Sequence, residues 1–238
     1  MLPAPRALVV HSLFEALAYA AGFVIYRIER QRRPERSLPE GRDLALLLAA
    51  GVGALGGSRL LAWLDGAADG KTIIGGILGG WIAVEIAKRA LGIRRPTGDA
   101  FVLPLIGAMA VGRVGCFLAG LSDGTYGLPT TLPWGVNLGD GVSRHPVQLY
   151  EIVFLLVCGA LLLAARPRLR TGESFLIFVA AYCAFRLGVD FLKPGRPISP
   201  FGLTAIQLAC LAGTTAALVL LAHRRREAVA RGKELALA

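Results

Sequence analysis

Apolar stretches separated by short polar segments recur along the whole chain. Seven of them are long enough for membrane-spanning helices, which need about 20 residues each. They cover residues 7–26, 44–64, 72–90, 101–119, 148–165, 174–192 and 201–222. The pattern predicts an all-α, polytopic membrane protein with seven transmembrane helices, forming a single membrane domain over residues 1–238.

The composition supports this class of protein. The chain has 238 residues, of which 55% are hydrophobic and only 18% are charged, whereas a soluble domain usually has about 25% charged residues. The four cysteines lie in apolar surroundings, and none are spaced as pairs of metal ligands. The sequence therefore predicts no metal site and no organic cofactor.

The positive charge is distributed unevenly between the connecting segments. The net charge is +10, and most of the 26 basic residues follow the first, third, fifth and seventh apolar stretches. Because basic connections stay in the cytoplasm, we predict an external N-terminus and a cytoplasmic C-terminus, with a basic cytoplasmic tail over residues 223–238. The basic residues are spread over several short loops, so no nucleic-acid partner is predicted.

Several ionisable side chains fall inside the apolar stretches. An ionisable group costs about 2.5–3.5 kcal/mol at the centre of a membrane helix, so such groups usually face a functional cavity. The predicted topology places a set of polar residues in or near the outer half of the membrane and therefore predicts one polar cavity there. The set comprises His11, Glu15, Arg59, Arg113, Glu151, Arg186, Asp190 and Gln207.

Each of these residues also has a purely structural interpretation. Arg186 and Asp190 are four residues apart, as are His11 and Glu15, so each pair could neutralise itself on one helix face. Arg59 is close enough to the end of its stretch to extend to the membrane surface.

Two features of the third apolar stretch, an acidic residue near its end and a group of glycines, favour structural roles. Glu85 precedes Lys88 and Arg89, which predicts an ion pair at the membrane surface. The glycines at 75, 76, 79 and 80 predict close helix packing rather than a phosphate-binding loop.

Residues 120–147 form the longest predicted external connection. This extracytoplasmic segment contains six glycines and three prolines, which favour defined turns over a regular helix. Loops of this length are often functional. It is preceded by Gly-Arg-Val-Gly-Cys-Phe at 112–117 and leads into Arg-His-Pro-Val-Gln-Leu-Tyr-Glu at 144–151.

Those two blocks resemble the signature region of the bacterial prolipoprotein diacylglyceryl transferases. The similarity extends to Ala-Phe-Arg-Leu-Gly-Val-Asp-Phe at 184–191, to Gly-Leu-Thr-Ala-Ile-Gln at 202–207 and to the glycine-rich start of the third stretch. The resemblance implies a seven-helix enzyme of the bacterial inner membrane with an external N-terminus. Its implied partners are phosphatidylglycerol, a prolipoprotein and membrane lipid.

The implied reaction transfers the diacylglyceryl group of phosphatidylglycerol to the thiol of a lipobox cysteine and releases glycerol phosphate. Arginines suit the phosphate leaving group, because a guanidinium can bind it in a bidentate manner. Arg113 and Arg186 match the family's arginines, and Glu151 and Asp190 would orient them or take up a proton. The remaining predicted substrate-binding residues are Gly115, Cys116, Gly120, His145, Gln148, Tyr150 and Gln207.

The chain departs from the family pattern at three polar positions. Ile74 stands where the family has a histidine thought to act as a base, Cys116 replaces an asparagine, and Glu15 replaces a tyrosine. We expect Glu15, supported by His11, to be the replacement base.

Two alternatives remain open from the sequence. The first is a related transferase with a different acceptor, in which Cys116 could carry a covalent intermediate. The second is a phospholipid-binding or transport protein that does not catalyse.

Overall fold

The computed structural model describes residues 4–32, 41–67, 70–195, 197–199 and 201–237, and this part of the chain is built almost entirely of helices. The all-helical class predicted from the sequence is confirmed. Seven α-helices follow one another within the described residues. They are α1 (Ala4–Arg32), α2 (Arg42–Leu64), α3 (Ile73–Ala90), α4 (Val102–Ala119), α5 (Val147–Ala165), α6 (Glu173–Asp190) and α7 (Ala205–Leu237).

Five of these described helices, α1, α2, α4, α5 and α7, are long and apolar enough to cross a membrane. The chain is therefore a polytopic membrane protein. Helices α3 and α6 have 18 residues each, and each has three charged side chains. In α3 the charges lie near the C-terminus, whereas α6 has Glu173 at its start and Arg186 and Asp190 near its end.

Contacts between helix termini show that the helices alternate in direction. Asp123, just after α4, contacts His11 near the start of α1. Asp65, just after α2, accepts a hydrogen bond from the backbone N–H of Ile206 at the start of α7. We call the end of the bundle where α4 and α6 finish and α5 and α7 begin the loop end, because residues 120–146 lie there.

The pairs α2–α3 and α1–α4 pack closely because glycines lie at their contacts. A Cβ on Gly79 would lie 2.3 Å from the carbonyl oxygen of Gly53, and one on Gly75 would lie 2.3 Å from that of Gly57. On the other pair, a Cβ on Gly115 would lie 2.3 Å from Cβ of Phe14. The glycines of α3 are therefore packing residues, as the sequence predicted.

The connection between α4 and α5 folds onto the loop end. Its strands β1 (Val136–Asn137) and β2 (Ser143–Arg144) form an antiparallel hairpin, where Arg144 lies 2.7 Å from Asp140 and lowers the pKa of that carboxyl group. The backbone N–H of Leu128 donates to the carbonyl of Leu192 at 2.7 Å. This hydrogen bond fixes the loop to the segment that follows α6.

Candidate active site

A cluster of charged side chains is buried near the loop end between α4, α5 and α6. Glu151 on α5 is 1% exposed, and its Oε2 lies 2.9 Å from Nε of Arg113 on α4. The same oxygen lies 3.6 Å from Nη1 of Arg186 on α6. One carboxylate therefore faces two guanidinium groups.

Hydrogen bonds from neighbouring helices hold the acidic members of this cluster. The Tyr182 hydroxyl donates to Oε1 of Glu151 at 2.6 Å, and the Thr204 hydroxyl donates to Oδ2 of Asp190 at 3.0 Å. The other oxygen of Asp190 lies 3.5 Å from Nη2 of Arg186. The Arg186–Asp190 pair predicted from the sequence is thus present, and it belongs to a larger network.

Gln207 supports the network through the start of α7. Its side-chain oxygen accepts from the backbone N–H of Thr204, while its own backbone N–H donates to the Thr204 hydroxyl. This reciprocal arrangement is a capping box. Gln207 thereby positions the threonine that holds Asp190.

The arginines keep unused hydrogen-bonding capacity. Nε and Nη1 of Arg186 are buried and make no hydrogen bond within the described part of the chain. Lys193, three residues after Asp190, adds a further cation close by. Burial and the guanidinium groups of Arg186 and Arg113 lower the pKa of Lys193 to about 7. The site therefore suits an anionic ligand.

A second polar cluster adjoins the first through Arg113. Nη1 of Arg113 donates to the sulfur of Cys116 at 3.7 Å. His11, Cys116 and Asp123 together place one potential ligand atom each within 4.8 Å of one another. The Thr125 hydroxyl donates to Asp123, and the Gln148 amide donates to Thr125 at 3.4 Å.

Three other residues considered from the sequence lie outside these clusters. Glu15 is held by Lys71 at 2.7 Å and by the Tyr19 hydroxyl at 3.0 Å, so His11 contacts Asp123 rather than pairing with Glu15. Arg59 is exposed on α2. Ile74 is 1% exposed and packs within the apolar core.

The remaining predicted site residues border the loop. The Tyr150 hydroxyl accepts a hydrogen bond from Nε1 of Trp134 at 2.8 Å and lies 3.2 Å from Nδ1 of His145. Gly120 ends α4 with a positive φ of 64°, and Gly115 allows α1 to approach α4. These two glycines shape the backbone around the clusters and supply no side chain to them.

An apolar groove runs between α5 and α6 from the loop end towards the opposite end. Its volume is about 700 Å³, and its walls extend from Leu149 and Tyr150 to Leu169. Phe154 and Phe185 stack inside it, with ring centroids 4.1 Å apart. The groove begins next to Glu151, so a charged site adjoins an apolar one.

Sequence reasoning missed Tyr182, Lys193 and Asp123. Tyr182 precedes Arg186 by four residues, so helical spacing placed it on the same face. Lys193 follows the end of α6 and looked like an ordinary loop cation. Asp123 lies in the glycine-rich connection, where periodicity does not predict that the chain folds back towards α1.

The structure defines a multi-pass membrane protein with a buried, cation-rich site beside an apolar groove. The profile of the family "Prolipoprotein diacylglyceryl transferase" matches residues 4–223. The chain therefore belongs to the prolipoprotein diacylglyceryl transferase family, as its motifs suggested.

Individual relatives bear the name phosphatidylglycerol–prolipoprotein diacylglyceryl transferase. One from Streptomyces coelicolor is 32% identical, covering 69% of this chain and 55% of its own length. One from Dehalococcoides mccartyi is 32% identical over 67% of this chain and 63% of its own. One from Cupriavidus pinatubonensis is 30% identical, covering 81% of this chain and 78% of its own length.

The matched region is only part of several relatives. The chain spans about half the length of the Streptomyces coelicolor protein and 36% of a Frankia alni relative. No solved structure is similar to the chain at a significant level.

Proposed function

We propose that the chain transfers the diacylglyceryl group of phosphatidylglycerol to the thiol of a lipobox cysteine in a prolipoprotein. The observation that carries this proposal is the arrangement of Arg113 and Arg186 around the single carboxylate of Glu151. Arg113 and Arg186 share Glu151, and Arg186 also contacts Asp190. Nε and Nη1 of Arg186 are buried without a hydrogen bond within the described part of the chain, so the pocket can accept the phosphate of a lipid headgroup.

In this proposal the arginines stabilise the leaving group. The thiolate sulfur attacks the glycerol carbon that bears the phosphate ester, an S–C bond forms, and the C–O bond to phosphate breaks. Negative charge then develops on the departing glycerol phosphate. Fixed guanidinium groups in a site of low dielectric stabilise such charge effectively, because they need no reorganisation as the charge develops.

Glu151 and Asp190 act mainly as positioning residues. Glu151 contacts both arginines and Tyr182, while Asp190 contacts Nη2 of Arg186. Buried carboxylates of this kind restrict the guanidinium rotamers, which keeps their N–H groups pointing at one place. Gln148 has a buried side-chain oxygen without a hydrogen-bond partner among the described residues. It would accept from a headgroup hydroxyl.

The α5–α6 groove would hold an acyl chain of the lipid. The wall of the groove is apolar along most of the length of the two helices. At the loop end the groove lies next to the charged site. A phospholipid bound there would place its phosphate near the arginines and its chain against Phe154 and Phe185. We infer that lipid enters sideways between α5 and α6.

We also propose that all seven helices cross the bacterial inner membrane, with the loop end outside. The alternating helix directions and the basic residues near the C-terminal ends of α1, α3, α5 and α7 support this topology. Helices α3 and α6 would then cross with their charged residues near the membrane surfaces or inside the bundle. The C-terminal tail would lie in the cytoplasm.

The role of Glu15 as the thiol base stays a prediction. Its carboxylate is shared between Lys71 and Tyr19, which favours a positioning role at the site's border. Glu15→Gln tests the prediction, because undiminished lipid transfer would remove Glu15 from the mechanism.

The proposed activity can be tested with the purified chain in liposomes. Phosphatidylglycerol labelled in its diacylglyceryl part would be supplied together with a lipobox peptide, and both peptide label and released glycerol phosphate would be measured. We expect equal amounts of the two products and their loss in Arg113→Ala. Release of glycerol phosphate without labelled peptide would point to a different acceptor and contradict the proposal.

A further inference from the structure

His11 on α1 meets Cys116 near the end of α4 and Asp123 in the helical turn that directly follows α4, beside the arginine cluster. One nitrogen, sulfur or oxygen atom from each lies within 4.8 Å of the other two. The sequence predicted no metal site because these residues show no ligand spacing. The spatial cluster becomes visible only when the segment after α4 folds against α1.

The contact between His11 and Asp123 joins two atoms of types that commonly bind zinc. Nδ1 of His11 lies 2.9 Å from Oδ1 of Asp123, yet this buried nitrogen has no hydrogen-bond partner among the described residues. Two ligand-type atoms thus face each other closely without hydrogen-bond geometry. A cation between them would satisfy both.

We propose that His11, Cys116 and Asp123 form a zinc site whose fourth position binds the thiol of the incoming lipobox cysteine. This inference rests on the proposed function for its acceptor, whereas zinc binding itself does not. Zinc favours such a mixed nitrogen and sulfur set, and catalytic zinc sites typically have three protein ligands and one open position. Magnesium and calcium prefer oxygen ligands alone.

The burial of the three residues suits an open site. The Asp123 side chain is 5% exposed, whereas the His11 side chain is 35% exposed, so an acceptor can reach the cluster past the histidine. The Thr125 hydroxyl donates to Oδ2 of Asp123, leaving Oδ1 directed at His11. Such second partners orient the ligands of metal sites.

The charges of the proposed site are balanced. Neutral imidazole, one thiolate and one carboxylate compensate Zn²⁺, and a second thiolate would leave one negative charge close to Arg113. That arginine contacts both Cys116 and Glu151. A thiolate bound to the zinc and a phosphate bound by the arginines would therefore both lie next to the guanidinium group of Arg113.

The site supplies the thiol activation that Ile74 cannot provide. A free thiol has a pKa near 8.5 and is mostly protonated at neutral pH, whereas a metal-bound thiol loses its proton. Here the proton leaves to water, the sulfur attacks the glycerol carbon, and glycerol phosphate takes the electron pair of the broken C–O bond. The thioether product binds zinc weakly and dissociates.

Metal binding can be measured independently of lipid transfer. The purified chain would be treated with a chelator, titrated with Zn²⁺ against a chromophoric competitor, and titrated separately with Co²⁺. We expect one metal per chain and a near-ultraviolet thiolate-to-cobalt band. Cys116→Ala should abolish the band, whereas Cys210→Ala, which removes a core thiol on α7, should preserve it. Thr125→Val should weaken zinc binding about 10–100-fold.

Helical content and elution volume of each variant would show that it is folded. Absence of stoichiometric zinc binding, or a cobalt band unchanged in Cys116→Ala and His11→Gln, would overturn the site. Undiminished transfer by the metal-free protein would overturn its role in thiol activation while leaving the proposed function intact. Zinc binding without any transfer would instead contradict the proposed function and support the site.

Discussion

Buried carboxylates meet arginines at both ends of the helical bundle, but the contacts are shared differently. At the end opposite the loop, Glu29 has its own partner in Arg166, with contacts of 2.5 and 3.4 Å to its two oxygens. Glu173 is paired likewise with Arg225, at 3.0 and 3.4 Å. Each acid there is matched by one guanidinium group.

At the loop end Glu151 is shared by Arg113 and Arg186, and Arg186 also contacts Asp190. Each arginine makes one ionic contact with Glu151, and buried N–H groups of Arg186 are left over. A matched pair holds helices together, whereas buried guanidinium N–H groups without an acceptor can bind an anionic ligand. The two ends therefore differ in how fully their buried guanidinium groups are hydrogen-bonded, and this difference separates structural ion pairs from a candidate binding site.

The largest difference between the two ends should appear on removing an acid. Glu151→Gln leaves two buried guanidinium groups without their shared anion, and breaking a buried pair in this way costs about 3–5 kcal/mol. Glu29→Gln should cost only about 1 kcal/mol, because the partly exposed Arg166 can reach water. Unfolding in detergent with each variant measures both values; equal losses would contradict the distinction.

Arginine removal should separate the two ends by activity. Arg186→Gln removes a donor to the departing phosphate and should lower lipid transfer about 10²–10³-fold, as is typical for a lost charge-stabilising donor. Arg166→Gln is the matched change at the opposite end and should leave the transfer rate near that of the unmodified protein. Similar losses in both variants would indicate a general effect on folding.

Removing a tyrosine hydroxyl at each end should give a smaller difference in stability. Tyr182→Phe removes the hydrogen bond to Glu151 and should cost about 1.5–3 kcal/mol of stability, since the acceptor is charged. Tyr26 stacks on Phe101 with ring centroids 5.5 Å apart, and its hydroxyl contacts Arg30. Tyr26→Phe keeps the stacking and should cost only about 0.5–1.5 kcal/mol, since this hydroxyl is half-buried. Thermal unfolding of the two variants tests this difference, which a larger loss in Tyr26→Phe would refute.

The smallest expected effect concerns Lys193 and pH. Because its pKa is lowered to about 7, the ammonium group loses its charge as the pH rises through that value, and its attraction for the phosphate is lost with it. The ratio of kcat/KM for the unmodified protein to that of Lys193→Met should therefore fall as pH rises through about 7. In Lys193→Arg the side chain stays charged over this pH range, so kcat/KM should decline less as the pH rises. A ratio independent of pH would exclude Lys193 from phosphate binding.

Much of the fold follows from hydropathy. The predicted stretch 101–119 coincides with α4 at Val102–Ala119, and 44–64 lies within α2. These boundaries are predictable because the ends of apolar runs coincide with glycine, proline or charged residues. Lengths at the chain ends are less predictable: α7 continues to Leu237, through the segment predicted as a basic tail, because its residues are good helix formers.

The clustering of charged side chains was predictable, because charges inside apolar helices are conspicuous, whereas their roles stay a prediction. Arg113, Glu151, Arg186 and Asp190 do meet in one cluster. Partner choice was not predictable in the same way. His11 and Glu15 share a helix face, yet each contacts a residue from a loop or a neighbouring helix. Such contacts depend on how connections fold back, which helical periodicity does not encode.

The central claim is that the buried guanidinium groups hold the phosphate of phosphatidylglycerol. Solid-state NMR can measure the distance between the lipid phosphorus and arginine Cζ in liposomes containing the protein with ¹³C-labelled arginine. We predict a short distance of about 4 Å, as in bidentate phosphate pairs, and its loss when Arg113 and Arg186 are both changed to lysine. A short distance that persists in this double variant, or none in the unmodified protein, would contradict the account.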